Sequence, residues 1–172
     1  MLVIRPDQHN VFEEAALAKF QEEIVEHLKT FAPELFEIRG EACFREVIQI
    51  GIKKAERYGF TNRGPVRFFL ETMVAFGSEF DTDPQIPGVS QILSNSDELD
   101  QMLHADKLFE VISEFAEKTK GPNNQLTIQA FQRFPHSDLF TQTMPSERLT
   151  AALVSHMQNI YPEKARFIGE KR

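Results

Sequence analysis

The side chains that could take part in chemistry are few in this sequence, and they are scattered along it. Imidazole and thiolate groups bind metals when they recur at short fixed spacings, such as the two histidines of an HExxH helix. No histidine here stands at such a spacing from another histidine or from the cysteine, the five being His9, His27, His104, His136 and His156. We therefore predict no metal site and expect the histidines to have structural or surface roles.

The residues that could act as nucleophiles also lack the arrangement that catalysis needs. Cys43 is the only cysteine, so it has no disulfide partner within the chain, and its place on a predicted helix is typical of a small buried side chain. Ser137 and Asp138 follow His136, but no GxSxG turn presents the serine. Phosphate-binding GxGxxG and GxxxxGK(S/T) loops are absent. We predict no catalytic residue and no cofactor, although an acid–base pair among the 26 carboxylates would leave no sequence signal.

Two further carboxylates, Asp81 and Asp83, lie in the proline- and glycine-containing segment FDTDPQIPGVSQIL. Oxygen ligands of this kind bind Ca²⁺ in the EF-hand, but the ligand spacing of that loop is missing. Pro84 and Pro87 stand where later ligands would lie. We therefore expect a loop without a bound ion, in which Asp81 accepts hydrogen bonds from backbone donors of a turn.

The elements that would position these groups are helices, and the clearest two lie in the stretch Glu41 to Pro84. Tyr58-Gly59 ends the first helix, because glycine accepts the positive φ of a helix C-terminus. Gly51 lies in mid-helix, where glycine costs about 1 kcal/mol relative to alanine, so we predict a close helix crossing there. The apolar stripe of this helix follows the 3.6-residue period and consists of Phe44, Val47, Ile48, Ile52 and Ala55.

The second helix of this central pair is more hydrophobic than the first. We expect Thr61 to cap its start, Pro65 to lie in its first turn and Gly77 to close it. Because the connection between the two helices is short, they must be neighbours in space. The apolar residues of the second helix are Val66, Phe69, Leu70, Met73, Val74 and Phe76.

Helical periodicity extends over most of the remaining chain. One helix is predicted from Gln8 to Thr30, and the following segment, PELFEIRG, allows at most two turns because the residue before a proline leaves the α region. A long helix follows Ser94-Asn95-Ser96 and ends at Gly121-Pro122, with an apolar face of Leu99, Met102, Leu103, Leu108, Val111, Ile112 and Phe115. A short helix is predicted around Leu126 to Phe134, and a final helix begins at Ser146 and carries Leu149, Leu153, Val154, Met157 and Ile160.

A short pattern occurs twice, once near each end of the chain. His27, Pro33, Glu34, Gly40 and Glu41 recur with identical spacing as His156, Pro162, Glu163, Gly169 and Glu170. Each copy follows a helix with apolar residues, and no longer period is visible. We interpret the pattern as two helices that end in the same way.

Length and charge restrict the classes of protein that remain. With 172 residues and no linker-like segment, the chain is expected to form one helical domain over 1–172. A net charge of -7 and a pI near 5.3 argue against nucleic-acid binding, which needs clustered cations. No run approaches the ~20 apolar residues of a membrane span, and the start MLVIRPDQHN is too short an apolar run for a signal peptide, so we expect a cytoplasmic protein that does not bind membranes.

The predicted fold is all-α, a single-domain bundle of about five to seven helices, with a short strand or extended segment at Leu2 to Ile4.

Four short motifs in the first half of the chain carry a family resemblance. They are Ile4-Arg5-Pro6 with Gln8; Pro33-Glu34; Gly51, Ile52, Ala55, Tyr58 and Gly59; and Phe76, Gly77, Phe80, Asp81, Asp83 and Pro84. In these residues the chain resembles small bacterial proteins encoded beside the spike, PAAR-type tip and effector components of type VI secretion systems. The resemblance covers roughly residues 1–93. Where that group often has an aromatic residue after the next proline, this chain has Gly88.

This resemblance implies a non-catalytic protein-binding adaptor or accessory chaperone. Its partner would be a secreted effector, an effector-loading chaperone or a spike-tip protein. An immunity protein that blocks a cognate toxin is the alternative, and an enzyme of unknown chemistry is a third reading. The sequence does not indicate an oligomeric state.

The residues that we expect to contact a partner lie in two loops and on one acidic helix face. Apolar side chains in loops are common in protein interfaces, and a helix rich in carboxylates can bind a basic surface. The predicted contact residues are Phe80, Asp81, Asp83, Ile86, Glu110, Glu114, Leu139 and Phe140.

Overall fold

The computed structural model describes residues 6–95, 100–134 and 146–171, without the side chains of 6–10 and 146–148. The described residues form helices and contain no strand, which confirms the predicted all-α class. The extended segment predicted at Leu2 to Ile4 lies outside them. Seven of the α-helices have nine residues or more. The α-helices are α1 (Pro6–Phe31), α2 (Pro33–Arg57), α3 (Arg63–Phe76), α4 (Val89–Ser94), α5 (Gln101–Lys120), α6 (Gln125–Arg133), α7 (Ser146–Ile160) and α8 (Pro162–Glu170).

The chain divides into two compact units. Unit 1 comprises Met1–Asp81 and Leu93–Ala105, and unit 2 comprises Thr82–Ile92 and Asp106–Arg172. The start of α5 belongs to unit 1 and the rest of that helix to unit 2. The single domain predicted over 1–172 stays a prediction.

Unit 1 is built mainly from α1, α2 and α3, with an aromatic core. The apolar stripe of α1 buries Ile24, Val25 and Leu28 almost completely. Helix α2 is interrupted at Gly40, whose φ of 76° and ψ of 161° lie outside the helical region. Glycine adopts a positive φ without steric cost, so the chain can turn here between the short PELFEIR segment and the long helix that follows. The other large core residues of unit 1 include Phe44, Ile48, Phe60, Phe69, Leu70, Met73 and Phe80.

Gly51 lies where α2 crosses α3 at close range. A Cβ atom at this position would lie 2.2 Å from Leu70 Cδ2 and 2.8 Å from Met73 Sδ. Both of these side chains belong to α3 and are buried. The predicted close crossing is therefore confirmed, and it explains a glycine in the middle of a long helix.

The start of α3 differs by one residue from the prediction. Asn62, not Thr61, is the N-cap residue, and it makes no side-chain capping hydrogen bond. Instead, Gln101 Oε1 accepts hydrogen bonds from the backbone N–H groups of Thr61 and Asn62, while Gln101 Nε2 donates to Thr61 Oγ1. The N–H groups are thus satisfied by a residue distant in sequence, which no local capping pattern predicts. Gly77, with a φ of 105°, closes α3 as predicted.

Two features of the helices after α3 were predicted wrongly. The segment predicted as loop as far as Leu93 contains α4, because burial of Val89 and Leu93 orders its last residues as a helix. On α5, Met102 and Leu103 were placed on the apolar face but are about half exposed. Leu108, Ile112 and Phe115 are buried as predicted, and at the start of the helix His104 and Ala105 are buried in place of Met102 and Leu103. Leu99 lies outside the described residues. The buried residues of α5 are His104, Ala105, Leu108, Ile112, Phe115 and Thr119.

The repeated sequence pattern corresponds to a repeated backbone corner. At the α1–α2 junction Ala32 has φ −136° and ψ 65°, and at the α7–α8 junction Tyr161 has φ −133° and ψ 68°. In each case this residue donates its N–H to the carbonyl four residues earlier and accepts from the N–H four residues later. A proline follows at the first position of the next helix, where its missing N–H is tolerated. Two similarly terminated helices are therefore confirmed.

Candidate functional site

Asp81 is the most fully engaged of the predicted contact residues. The last turn of α2 presents Lys54, the C-cap residue of that helix is Tyr58, and the loop that follows Gly77 returns the Asp81 carboxylate to both. Lys54 Nζ donates to Asp81 Oδ1 at 3.0 Å and to the carbonyl oxygen of Ser78 at 2.7 Å. The Tyr58 hydroxyl donates to Asp81 Oδ2 at 2.9 Å. Both carboxylate oxygens of this buried residue are thus occupied.

The electrostatic environment of this cluster favours the protonated forms of Lys54 and Tyr58. Burial, together with the hydrogen bond to Asp81 and the charge of that carboxylate, raises the pKa of Tyr58 to about 12. Burial by itself would lower the pKa of Lys54, but its hydrogen bonds and charge attraction to Asp81 and Glu79 outweigh burial and raise that pKa. The group is a closed ion pair that anchors the loop to α2.

The turn role that was predicted for Asp81 belongs to Asp83. Asp81 was expected to accept from backbone donors of a turn, but its oxygens accept from the side chains of Lys54 on α2 and of Tyr58, the residue that caps that helix. It is Asp83 that forms the turn, because its Oδ1 accepts a hydrogen bond from the Gln85 N–H at 2.8 Å. Asp83 is half-buried.

The apolar residues of this loop are not available at the surface. Phe80 and Ile86 are only 1% and 3% exposed, so the expectation that they form an apolar contact surface is wrong. The ring centroid of Phe80 lies 4.9 Å from that of Phe69, inside the core of unit 1. Burial of an aromatic side chain stabilises the fold relative to its exposure to solvent. The anchored Asp81 beside Phe80 holds the loop in place.

The acidic helix face is only partly open. Glu110 is exposed, whereas Glu114 forms an ion pair with Lys171 of α8, at 3.1 Å between Nζ and a carboxylate oxygen. The pairing reduces the negative charge that α5 presents at that point. Leu139 and Phe140, the predicted contacts of the second loop, lie outside the described residues.

The histidines and the cysteine are separated from one another. His27 Nε2 lies 2.6 Å from Glu71 Oε1 of α3, and the ring of buried His104 lies 4.7 Å from that of Phe60. His156 Nε2 is buried and has no hydrogen-bond partner among the described residues. Cys43 was expected to be a small buried side chain, and it is half-buried. Among residues whose positions are described, no group of three His, Cys, Asp or Glu side chains is placed to hold a metal ion.

An exposed apolar groove on α7 and α8 was missed by the sequence reasoning. Of the five apolar residues that the sequence places on the final helix, only Ile160 is buried. The stripe was visible in the sequence, but its exposure was not, because a periodic pattern predicts an apolar face without showing whether anything covers it. A groove of about 490 Å³ runs along this face, lined by Leu153, Val154, Met157, Tyr161, Ala165 and Ile168.

A lysine gives this groove a positive edge. Lys164 of α8 also lines the groove, and its ammonium group lies 5.8 Å from the ring centroid of Phe115. Burial lowers the pKa of Lys164, and it lowers the pKa of Lys120 as well, with the charge of Lys164 adding to the effect on Lys120. The two cations repel each other, and the carboxylate of Asp83 partly offsets the effect of burial on the pKa of Lys164.

Comparison with known proteins adds no family to these observations. No protein-family model, no curated protein and no solved structure matches the chain. Within the described residues, no helix is long and apolar enough to cross a membrane.

Proposed function

We propose that this protein is a non-catalytic protein-binding adaptor or accessory chaperone. The observation that carries the proposal is the exposed apolar stripe of α7, where Leu149, Leu153, Val154 and Met157 lie at helical spacing and are 39–53% exposed. Contiguous apolar surface with a polar surround is typical of a site that binds another protein. The polar cluster around Asp81 has its hydrogen bonds satisfied internally, which supports a structural use of that cluster.

The proposed partner class is a type VI secretion effector, its loading chaperone or a spike-tip protein. This part of the proposal is supported by the resemblance over residues 1–93. Several residues that carry the resemblance have structural positions in unit 1: Gly51 at the helix crossing, Tyr58 on Asp81, and Phe80 in the core. These residues hold unit 1 together, and we propose that the partner binds elsewhere on the chain.

The test is a clean deletion of the gene in a host with a type VI secretion system. An adaptor predicts that secretion of one effector is lost while the deletion strain survives beside its siblings. The immunity alternative predicts the reverse, with secretion intact and siblings killing the deletion strain. Intact secretion and intact survival together would contradict both functions.

The immunity alternative depends on the acidic face of α5, and it has a separate test. An immunity protein would bind a cationic toxin through Glu110 and its neighbours. Glu110→Lys combined with Glu114→Lys would then abolish protection. Under the adaptor proposal, the same double variant secretes its effector at the wild-type level.

A further inference from the structure

Lys54 of unit 1 and Lys164 of unit 2 are both half-buried lysines, but they differ in what their ammonium groups contact. Three oxygens surround Lys54 Nζ, from the Ser78 carbonyl at 2.7 Å and from the Asp81 and Glu79 carboxylates at 3.0 Å each. Lys164 Nζ forms no hydrogen bond or ion pair with any residue that the structure describes. It lies instead 5.8 Å from the centroid of the Phe115 ring.

This difference in contacts determines the charge that each lysine favours. A half-buried ammonium loses hydration, and where no oxygen replaces the water the neutral amine is favoured. Burial accordingly lowers the pKa of Lys164, and the charge of Asp83 offsets that effect only in part. At Lys54 the surrounding oxygens outweigh burial and raise the pKa. The same residue type is therefore held as a cation in unit 1 and shifted towards the free amine in unit 2.

Lys120 of α5 is a second cation in the surroundings of Lys164. Burial lowers the pKa of Lys120, and the charge of Lys164 lowers it as well. Because repulsion between two cations is mutual, a protonated Lys120 disfavours protonation of Lys164. A lysine that is desolvated beside another cation is the arrangement that activates an amine as a nucleophile.

The groove on α7 and α8 gives small molecules access to this amine. Lys164 lines the groove together with Tyr161, Ala165 and Ile168. Its volume of about 490 Å³ is more than enough for a reagent of a few heavy atoms. Lys164 thus combines an amine without an oxygen partner, a neighbouring cation and an open approach.

We propose that Lys164 is a covalent modification site, whose amine takes an acyl group from a small activated acyl donor such as an acyl phosphate. The neutral Nζ attacks the carbonyl carbon and forms a C–N bond. The bond between that carbon and the phosphate oxygen breaks, phosphate leaves with the electron pair, and the nitrogen loses a proton to water. The amide product is uncharged, so acylation removes one positive charge from the edge of the groove. The reaction does not depend on the proposed binding function.

The test treats the full-length chain with acetyl phosphate and measures the initial rate of acetylation at each lysine by peptide mapping and mass spectrometry. Lys54 is the matched control, because it is also half-buried but its ammonium is surrounded by oxygens. At pH 8 we expect Lys164 to be acetylated at least ~10-fold faster than Lys54, since their pKa values move in opposite directions and the neutral fraction changes about tenfold for each pKa unit.

The dependence of the rate on pH separates reactivity from mere accessibility. The rate at Lys164 should level off at a lower pH in the folded chain than in the same chain unfolded in urea, where the lysine is fully hydrated. Asp83→Asn should raise the rate at Lys164 at least ~2-fold at pH 8, because it removes the carboxylate that favours the ammonium form. Asparagine keeps the side-chain oxygen that accepts from the Gln85 N–H, so the turn is retained.

Three results would overturn the proposal. They are equal rates at Lys164 and Lys54, a pH profile of Lys164 that is the same in folded and unfolded chains, and faster acetylation of Lys120 than of Lys164. The first two are measured on wild type, so they do not depend on whether Asp83→Asn folds normally.

Discussion

Replacing Gly51 by alanine tests the packing on which unit 1 depends. The new methyl carbon would lie 2.2 Å from Leu70 Cδ2 and 2.8 Å from Met73 Sδ, both well inside van der Waals contact. Both neighbours are buried, so they have little room to move. The neighbouring side chains must therefore leave their packed positions or the two helices must separate.

The expected magnitude is the balance of two opposing effects. Alanine gains about 1 kcal/mol over glycine in a helix interior. Inserting a methyl group into a packed core costs typically 1–3 kcal/mol, roughly cancelling or exceeding that gain. We expect Gly51→Ala to reduce the free energy of unfolding of unit 1 by about 1 kcal/mol, when the overpacking cost is near the middle of that range. Gly64→Ala is the matched control, because its nearest neighbour is Met102 Sδ at an ordinary 3.9 Å.

A double-mutant cycle with Leu70→Ala isolates the contact. Native-state hydrogen exchange of α2 amides reports the local unfolding free energy of unit 1 without requiring the whole chain to unfold in one step. Leu70→Ala alone should cost about 2–5 kcal/mol. In that background Gly51→Ala should be neutral or stabilising, giving a coupling energy of about 1–3 kcal/mol. A Gly51→Ala variant as stable as Gly64→Ala, or a coupling near zero, would refute the close crossing.

Two further predictions concern the Asp81 cluster. Asp81→Asn should destabilise the protein by about 3 kcal/mol, because it leaves the ammonium group of Lys54, a side chain only 14% exposed, poorly compensated. Glu79→Gln changes a side chain that is 72% exposed and should cost under about 0.5 kcal/mol. Urea unfolding measures both, and equal effects would argue against a buried ion pair. Since the folded state raises the pKa of Tyr58 to about 12 and raises that of Lys54, it binds their protons more tightly than the unfolded state, so stability present below pH 10.0 should be lost as the pH rises towards 12. Tyr58→Phe should show a shallower decline over that range, and an identical slope would contradict the assignment.

The central helical pair could be predicted because its signals are local. Gly51, Gly59 and Gly77 mark a crossing and two helix ends, and the apolar stripe between them has a clear helical period. Each signal depends on a few neighbouring residues, so the sequence alone was sufficient. The paired corners before Pro33 and Pro162 belong to the same class, since proline restricts the residue that precedes it.

The features that were missed depend on residues distant in sequence. Asp81 binds Lys54 and Tyr58, which lie on the preceding helix pair, and no local pattern connects them. Gln101 supplies the hydrogen bonds at the start of α3 in the same way. Burial could not be predicted for the same reason. The sequence shows that a side chain is apolar, but only the fold determines whether that side chain contacts another helix.

The groove shows this difference most clearly. Val25 and Val154 are the same residue type at the same distance before a proline, and each lies on an apolar helix stripe. One is buried and the other is 53% exposed. A packing argument that is correct for the first corner therefore fails for the second, and the failure identifies the surface where we propose that a partner binds.

The most direct test of the account is affinity purification of the tagged full-length chain from its native host, with bound type VI secretion components quantified by mass spectrometry. Wild type, Val154→Asp and Ile50→Asp are compared at equal expression. Ile50 lies on α2 and is as exposed as Val154, so its variant is the matched control. The account predicts that an effector, loading chaperone or spike-tip protein is recovered with wild type and Ile50→Asp and is depleted at least ~10-fold with Val154→Asp. Equal recovery of that component with all three proteins, or its absence from the wild-type sample, would contradict it.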